Sequence, residues 1–238
     1  PKLLPPDQVR TCVGMCLKTE WNRELLWQRF DVATNEPIKT IGIGGFFMSK
    51  TTVRPMIEVA LLATIAYILD LVTQPMSLGP WISLSFKMVP IFLLSFRWGV
   101  KAGAMGGFIW GLLQVVTGEA AGGWLTPIQG FLEYFVAFSL IGLSGTVKPA
   151  LDKAIREKKR LQTLTYITVG VILGGFARYT IHYIAGVIFW GSYAPAGQSA
   201  YLYSLIVNSS SFLGETIASL IVFFILQEFL GRLLITEQ

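Results

Sequence analysis

The residues of this chain best suited to chemistry lie inside apolar runs. Glu133 and Tyr134, within Phe131-Leu132-Glu133-Tyr134-Phe135-Val136-Ala137-Phe138, place a carboxylate beside a phenol in a stretch long enough to cross a bilayer. An acid at that depth is costly unless compensated, and it marks a functional site by default. Two later runs carry the other conspicuous polar groups. One is Arg178-Tyr179-Thr180-Ile181-His182, with Trp190 following; the other is Tyr203-Ser204-Leu205-Ile206-Val207-Asn208. Together they offer an anionic acceptor, an amide with both donor and acceptor, an imidazole and several π faces. Such a set suits a small cationic heteroaromatic ligand, which stacks on rings and answers a negative charge.

Each of these residues also has a plainer role open to it. Glu133 could pair with Arg178 or Lys87, His182 could be a core histidine bonded to a carbonyl, and Asn208 could join two helices. Trp190, Tyr203 and Trp81 could be interfacial belt aromatics. Glu215 reads as a packing or hydrogen-bonding residue, and Lys87 as a side chain snorkelling to the outer surface.

The elements that must position these groups follow from composition. Charged residues make up 14% of the 238 residues and hydrophobic ones 53%, with a mean hydropathy of +0.59. That balance excludes an ordinary water-soluble globule and predicts an all-α, multi-pass membrane protein. The net charge of +5 is no nucleic-acid signature, because Lys and Arg cluster at the ends of apolar runs. With Cys12 and Cys16 before the apolar region and one histidine in the chain, neither a thiolate nor a multi-histidine metal centre is available.

Residues 1–47 are polar, mixed in charge and without a hydrophobic core segment, so they are neither a signal peptide nor a span. They read as a separate extension, disordered or artefactual, with Met48 as the natural initiator and 48–238 as the membrane domain. A genuine cytoplasmic extension is the alternative. Six helices are predicted beyond it, over 54–73, 83–98, 100–117, 127–147, 165–190 and 201–230. Pro90 predicts a tilt or break in the second. Gly103, Gly107 and Gly111 predict a small-residue face on the third. The stretch from Lys148 to Arg160 reads as a basic loop. That loop, Arg97, Lys101 and Arg232 fall on one side of a six-helix bundle, which places both termini in the cytoplasm.

At 1.5 Å per residue, Glu133, Asn208 and His182 lie roughly 9, 10 and 12 Å below the outer helix ends, with Arg178 one turn deeper. Trp81, Trp190 and Tyr203 sit at the rim. The layer predicts a site open to the outside and closed below.

At these residues the chain resembles the thiamine-specific S components of energy-coupling factor (ECF) vitamin transporters. The resemblance rests on Glu58-Val59-Ala60-Leu61-Leu62-Ala63, Gly106-Gly107-Phe108-Ile109-Trp110-Gly111, Phe131-Leu132-Glu133-Tyr134, the run from His182 to Trp190 and the run from Tyr203 to Asn208. It implies a six-helix subunit in the bacterial cell membrane that captures thiamine from outside. Its implied partners are a transmembrane T subunit, two cytoplasmic ATPase subunits and membrane lipid, with no cofactor, no metal, no enzymatic activity and no nucleic acid. It also implies that Glu133, Tyr134, His182, Trp190, Tyr203 and Asn208 contact thiamine, with Trp81 in a lid. Arg178 stands where the family has a lysine. Ala60 and Thr64 stand for the small-residue face on helix one that meets the T subunit, with packing inside the bundle as their alternative. No GxxxxGK[ST] motif occurs, so energy must come from a partner. The competing classes are a self-sufficient proton-coupled thiamine carrier, which would show internal repeats and a midplane site, and an intramembrane enzyme, for which one histidine is thin.

Overall fold

A computed structural model of the protein describes residues 50–73 and 85–235. Trp81 and the 1–47 extension lie outside them. Apolar runs of membrane-crossing length must satisfy their backbone internally, and helices do so. Among the described residues every regular element is helical, with no strand. In chain order these are α1 (Lys50–Thr73), α2 (Val89–Trp98), α3 (Val100–Val116), α4 (Pro127–Arg156), α5 (Arg160–Phe189) and α6 (Ala200–Leu234). Four of them, α1, α4, α5 and α6, are long and apolar enough to cross a membrane; α2 has 10 residues and α3 has 17. The described residues are those of an all-helical membrane protein.

Two local expectations change. Pro90 does not bend α2; it sits in the first turn, where its missing N–H leaves no helical bond unmade. The helix ends at Gly99, whose φ of +88° an L side chain rarely adopts, and α3 starts at once. The basic stretch is not a loop. Lys148–Arg156 continues α4 as helix, with Leu151 and Ala154 buried and Lys148 paired to Asp152 at 2.6 Å, while α5 already begins at Arg160. Lys and Arg favour helices almost as strongly as Leu does, so charge alone did not mark a loop. The turn left between α4 and α5 is short, and there the Lys159 ammonium, 2.8 Å from Glu157, holds that carboxyl below its ordinary range.

One end of the bundle is clamped by Arg97. Its guanidinium pairs with Glu58 of α1 at 2.6 Å and donates to the Leu233 carbonyl of α6, while Trp98 Nε1 donates to Glu58 at 2.7 Å. The core above is aromatic and buried. Phe96 meets Phe223 edge-on at 5.5 Å, and Trp110 packs on Phe138 at 4.3 Å.

The third helix meets α4 backbone to backbone, as its glycine face predicts. A Cβ on Gly107 would run into the Phe138 carbonyl, and one on Gly111 into the Tyr134 carbonyl. That second contact bears on the site, because Tyr134 lies in an irregular part of α4. Over Phe131–Val136 the helix widens into a π turn, with the Ala137 N–H reaching five residues back to Leu132. Such insertions are frequent at functional sites, since they redirect side chains that a regular helix would aim elsewhere. Gly111→Ala is expected to cost about 1 to 3 kcal/mol by overpacking against this turn. A melting curve in detergent reads the loss; an unchanged midpoint would show that α3 and α4 have room to spare.

Candidate functional site

The site lies at the end of the bundle away from the Arg97 clamp. Glu133, His182, Trp190, Tyr203 and Asn208 come together there around a cavity of about 350 Å³, walled on its remaining sides by Gly122, Gly123, Gly186, Ser204 and Val207. An adjoining cavity of about 370 Å³ shares Glu133 and His182 and adds Tyr134, Phe138, Arg178, Lys87, Asp70 and Glu119. Of the eight residues expected at the site, five line the first cavity. Tyr134 and Arg178 line the second lobe, and Trp81 is not among the described residues.

Glu133 is held by two neutral donors. The Trp190 indole N–H donates to one carboxylate oxygen at 3.0 Å, and the Gln129 amide donates to the other at 2.9 Å. The ion pair with Arg178 or Lys87 that was the alternative for Glu133 does not form. Arg178, 4% exposed, donates to Glu215 at 3.3 Å, and its guanidinium lies 4.5 Å from the Phe138 ring centroid and 5.0 Å from that of Trp110. Lys87 is not a snorkelling side chain either. It bridges Asp70 at 3.1 Å and Glu215 at 3.4 Å, with Ser85 donating to Glu215 and Gln114 to Asp70. Two acids and two bases thus form a largely buried network that ties α1, α3, α5 and α6 together along the second lobe. Buried charge survives in a membrane protein only when paired in this way.

The remaining groups are set by their own helices. Arg178 Nε approaches His182 Nε2 at 3.4 Å, which uses that nitrogen as an acceptor and leaves the proton on Nδ1. The His182 ring lies 6.2 Å from Phe138 and 5.7 Å from Tyr179. Asn208 donates to the Ser204 carbonyl at 2.9 Å and to Ser204 Oγ at 3.2 Å, so its amide nitrogen works within α6 and its Oδ1 is left as the acceptor. The helix-joining role considered for Asn208 falls to Ser204, which donates across to the Tyr183 carbonyl of α5 at 2.8 Å. Tyr134 stacks on Trp124 at 6.0 Å and 10°.

Sequence reasoning missed Asp70, Gln114, Trp124 and Gln129. Of these only Gln129 carried a readable signal: it is the third helical residue after Thr126, the spacing of a capping box. Chemically, the cavity offers an uncompensated carboxylate, an amide oxygen and an imidazole N–H among aromatic walls. The described residues contain no group of three or more His, Cys, Asp or Glu side chains that could hold a metal ion.

Comparison with known proteins points the same way. Residues 56–235 match the family model described as Thiamine transporter protein (Thia_YuaJ). The chain is 39% identical over 168 residues to the thiamine transporter ThiT of Lacticaseibacillus paracasei, covering 70% of this chain and 83% of that protein. To ThiT of Bacillus subtilis it is 38% identical over 191 residues, covering 80% and 98%. The solved structure of ThiT from Listeria monocytogenes superposes with a TM-score of 0.74 at 33% identity, covering 78% of this chain and all of that one.

Proposed function

The chain belongs to the thiamine transporter family, a family of membrane transporters and not of enzymes, and from that premise we propose that it is the high-affinity thiamine-binding subunit of an ECF-type importer. On this reading six spans cross the bacterial cell membrane with both termini cytoplasmic, and thiamine enters from the outside. A transmembrane T subunit and two cytoplasmic ATPases drive release.

The observation that carries the substrate assignment is the charge balance around Glu133. Its two partners are neutral, whereas the nearby cations are committed to Glu215 and Asp70. The two N–H donors favour its ionised form and no protein cation pairs with it, so a cationic ligand would supply the charge partner that this cavity, walled by Trp190, Tyr203 and His182, does not itself provide. Thiamine supplies a thiazolium cation, and its aminopyrimidine supplies hydrogen-bond donors. Each Glu133 oxygen can accept one bond more than it does now. Trp190 contributes its N–H to Glu133, so its ring is oriented by the same bond that positions the carboxylate. The position of Arg178 supports a supporting role beneath the ligand rather than a contact, for it is shared between Glu215 and His182.

Two measurements test this. Glu133→Gln is expected to weaken thiamine binding by about 1.5 to 3 kcal/mol, the worth of a hydrogen bond to a charged group, or about 10- to 150-fold in Kd. The isosteric amide should leave the fold intact, so titration of the purified variant by tryptophan quenching reads the site alone. Unchanged affinity would return Glu133 to a structural role. Among analogues, pyrithiamine, which keeps a cationic ring and alters the tail-bearing ring, should bind better than an analogue changed at the aminopyrimidine. Equal losses for both would count against Glu133 accepting hydrogen bonds from the aminopyrimidine.

A further inference from the structure

We infer that Gln129 is a positioning and specificity-determining residue of this site: it orients the Glu133 carboxylate and preserves its negative charge. The inference rests on the reading of Glu133 as the thiamine-binding acid and goes beyond it to a residue in the fully buried wall behind that acid.

Gln129 is 0% exposed, and all its side-chain polar atoms are engaged. Its Oε1 accepts from the Leu125 N–H at 3.0 Å, and its Nε2 donates to the Gly123 carbonyl at 2.8 Å and to Glu133 at 2.9 Å. Its own backbone N–H donates to the Thr126 hydroxyl at 3.2 Å, closing the first turn of α4. In an ordinary capping box the glutamine would reach back to the N-cap residue's own N–H. Here it reaches one residue further, to Leu125, and that shift brings its nitrogen between Gly123 and Glu133.

The arrangement has two consequences for binding. Gly122 and Gly123 wall the same cavity as Glu133, so one amide ties the cavity wall to the acid. Trp190 holds the opposite carboxylate oxygen from the end of α5, so the carboxylate plane is fixed from two sides. Fixing an acceptor before the ligand arrives removes an ordering cost from binding. Glutamine is also the residue that can make these bonds without adding charge. A lysine in its place would neutralise Glu133, and a glutamate would force a second acid against it.

A double-mutant cycle on the full chain in detergent decides the matter, with thiamine as the titrant. Gln129→Met keeps the volume and removes every side-chain hydrogen bond; Gln129→Asn keeps the amide but falls short of Glu133, and it serves if the methionine variant does not fold. Either is expected to weaken thiamine binding about 5- to 20-fold with Glu133 present, and by no more than about 2-fold in a Glu133→Gln background, since coupled neighbours are non-additive. A purely structural Gln129 would give the same loss in both backgrounds, and that result overturns the inference. So does a change of less than 2-fold when Glu133 is present. If Glu133→Gln itself leaves affinity unchanged, the thiamine reading of Glu133 fails first, and the inference fails with it. That outcome is distinguishable because it appears in the single variant.

Discussion

Glu215→Leu is expected to destabilise the protein by about 3 to 5 kcal/mol, the range for removing one partner of a buried ion pair. Glu215 is 0% exposed and accepts from Ser85 while pairing with both Lys87 and Arg178. Its loss leaves Lys87 with Asp70 alone and Arg178 with only His182 and the surrounding rings. Thiamine affinity should fall as well, although Glu215 lines neither cavity. Arg178 and Glu133 line the same lobe, so an Arg178 released from Glu215 can turn to Glu133, which no cation neutralises. An internal ion pair would then compete with the cationic ligand. The double variant Glu215→Leu/Arg178→Met should regain much of the stability, because removing both charges of a buried pair is often neutral. Melting curves and titrations of the three proteins separate the effects. If Glu215→Leu melts with the parent, the network does not hold the bundle together.

This network also shows where reading the residues in order stopped short. Helical rise is nearly constant, so the common depth of Glu133, His182 and Asn208 could be counted along three separate runs, and those three do line one cavity. Counting along a helix does not say which faces meet. Arg178 and Glu133 were natural partners by charge and depth, yet the α5 face carrying Arg178 turns to Glu215 of α6. Asp70 drew no notice near the end of α1 because its partners, Lys87 and Gln114, come from other elements. The glycine face of α3 was legible since small residues four apart have few other uses in a membrane helix. The π turn that carries Glu133 was not, because one extra residue in a turn leaves the apolar pattern of Phe131–Val136 unchanged. Trp190 was expected to offer a ring face; its N–H bond to Glu133 depends on the end of α5 closing over α4.

The largest effect on transport is expected from a place remote from the ligand. Ala60 and Thr64 lie on the outward face of α1, beside the exposed Ile57, Leu61 and Ile65, while Val59, Ala63 and Ala66 face the core. The alternative of packing inside the bundle does not hold for them. The Thr64 hydroxyl donates to the Ala60 carbonyl at 2.8 Å, so it is satisfied within α1 and the face stays small and smooth. Small side chains let another helix approach closely where no hydrophobic force distinguishes protein from lipid. On the proposed reading that helix belongs to the T subunit. Replacing Ala60 and Thr64 together with leucine should leave thiamine affinity within about 2-fold, because the outward face touches neither cavity and distant sites add independently. Uptake by the assembled transporter should fall to background, since closer approach is blocked while the bundle itself is unchanged. The measurement pairs a titration with radiolabelled thiamine accumulation in liposomes, with and without the T and ATPase subunits. The parent protein alone should accumulate none, as nothing in its 238 residues resembles a nucleotide-binding loop. Accumulation by the protein alone under a pH gradient would instead make it a proton-coupled carrier. Full uptake by the double-leucine variant would move the docking surface off α1.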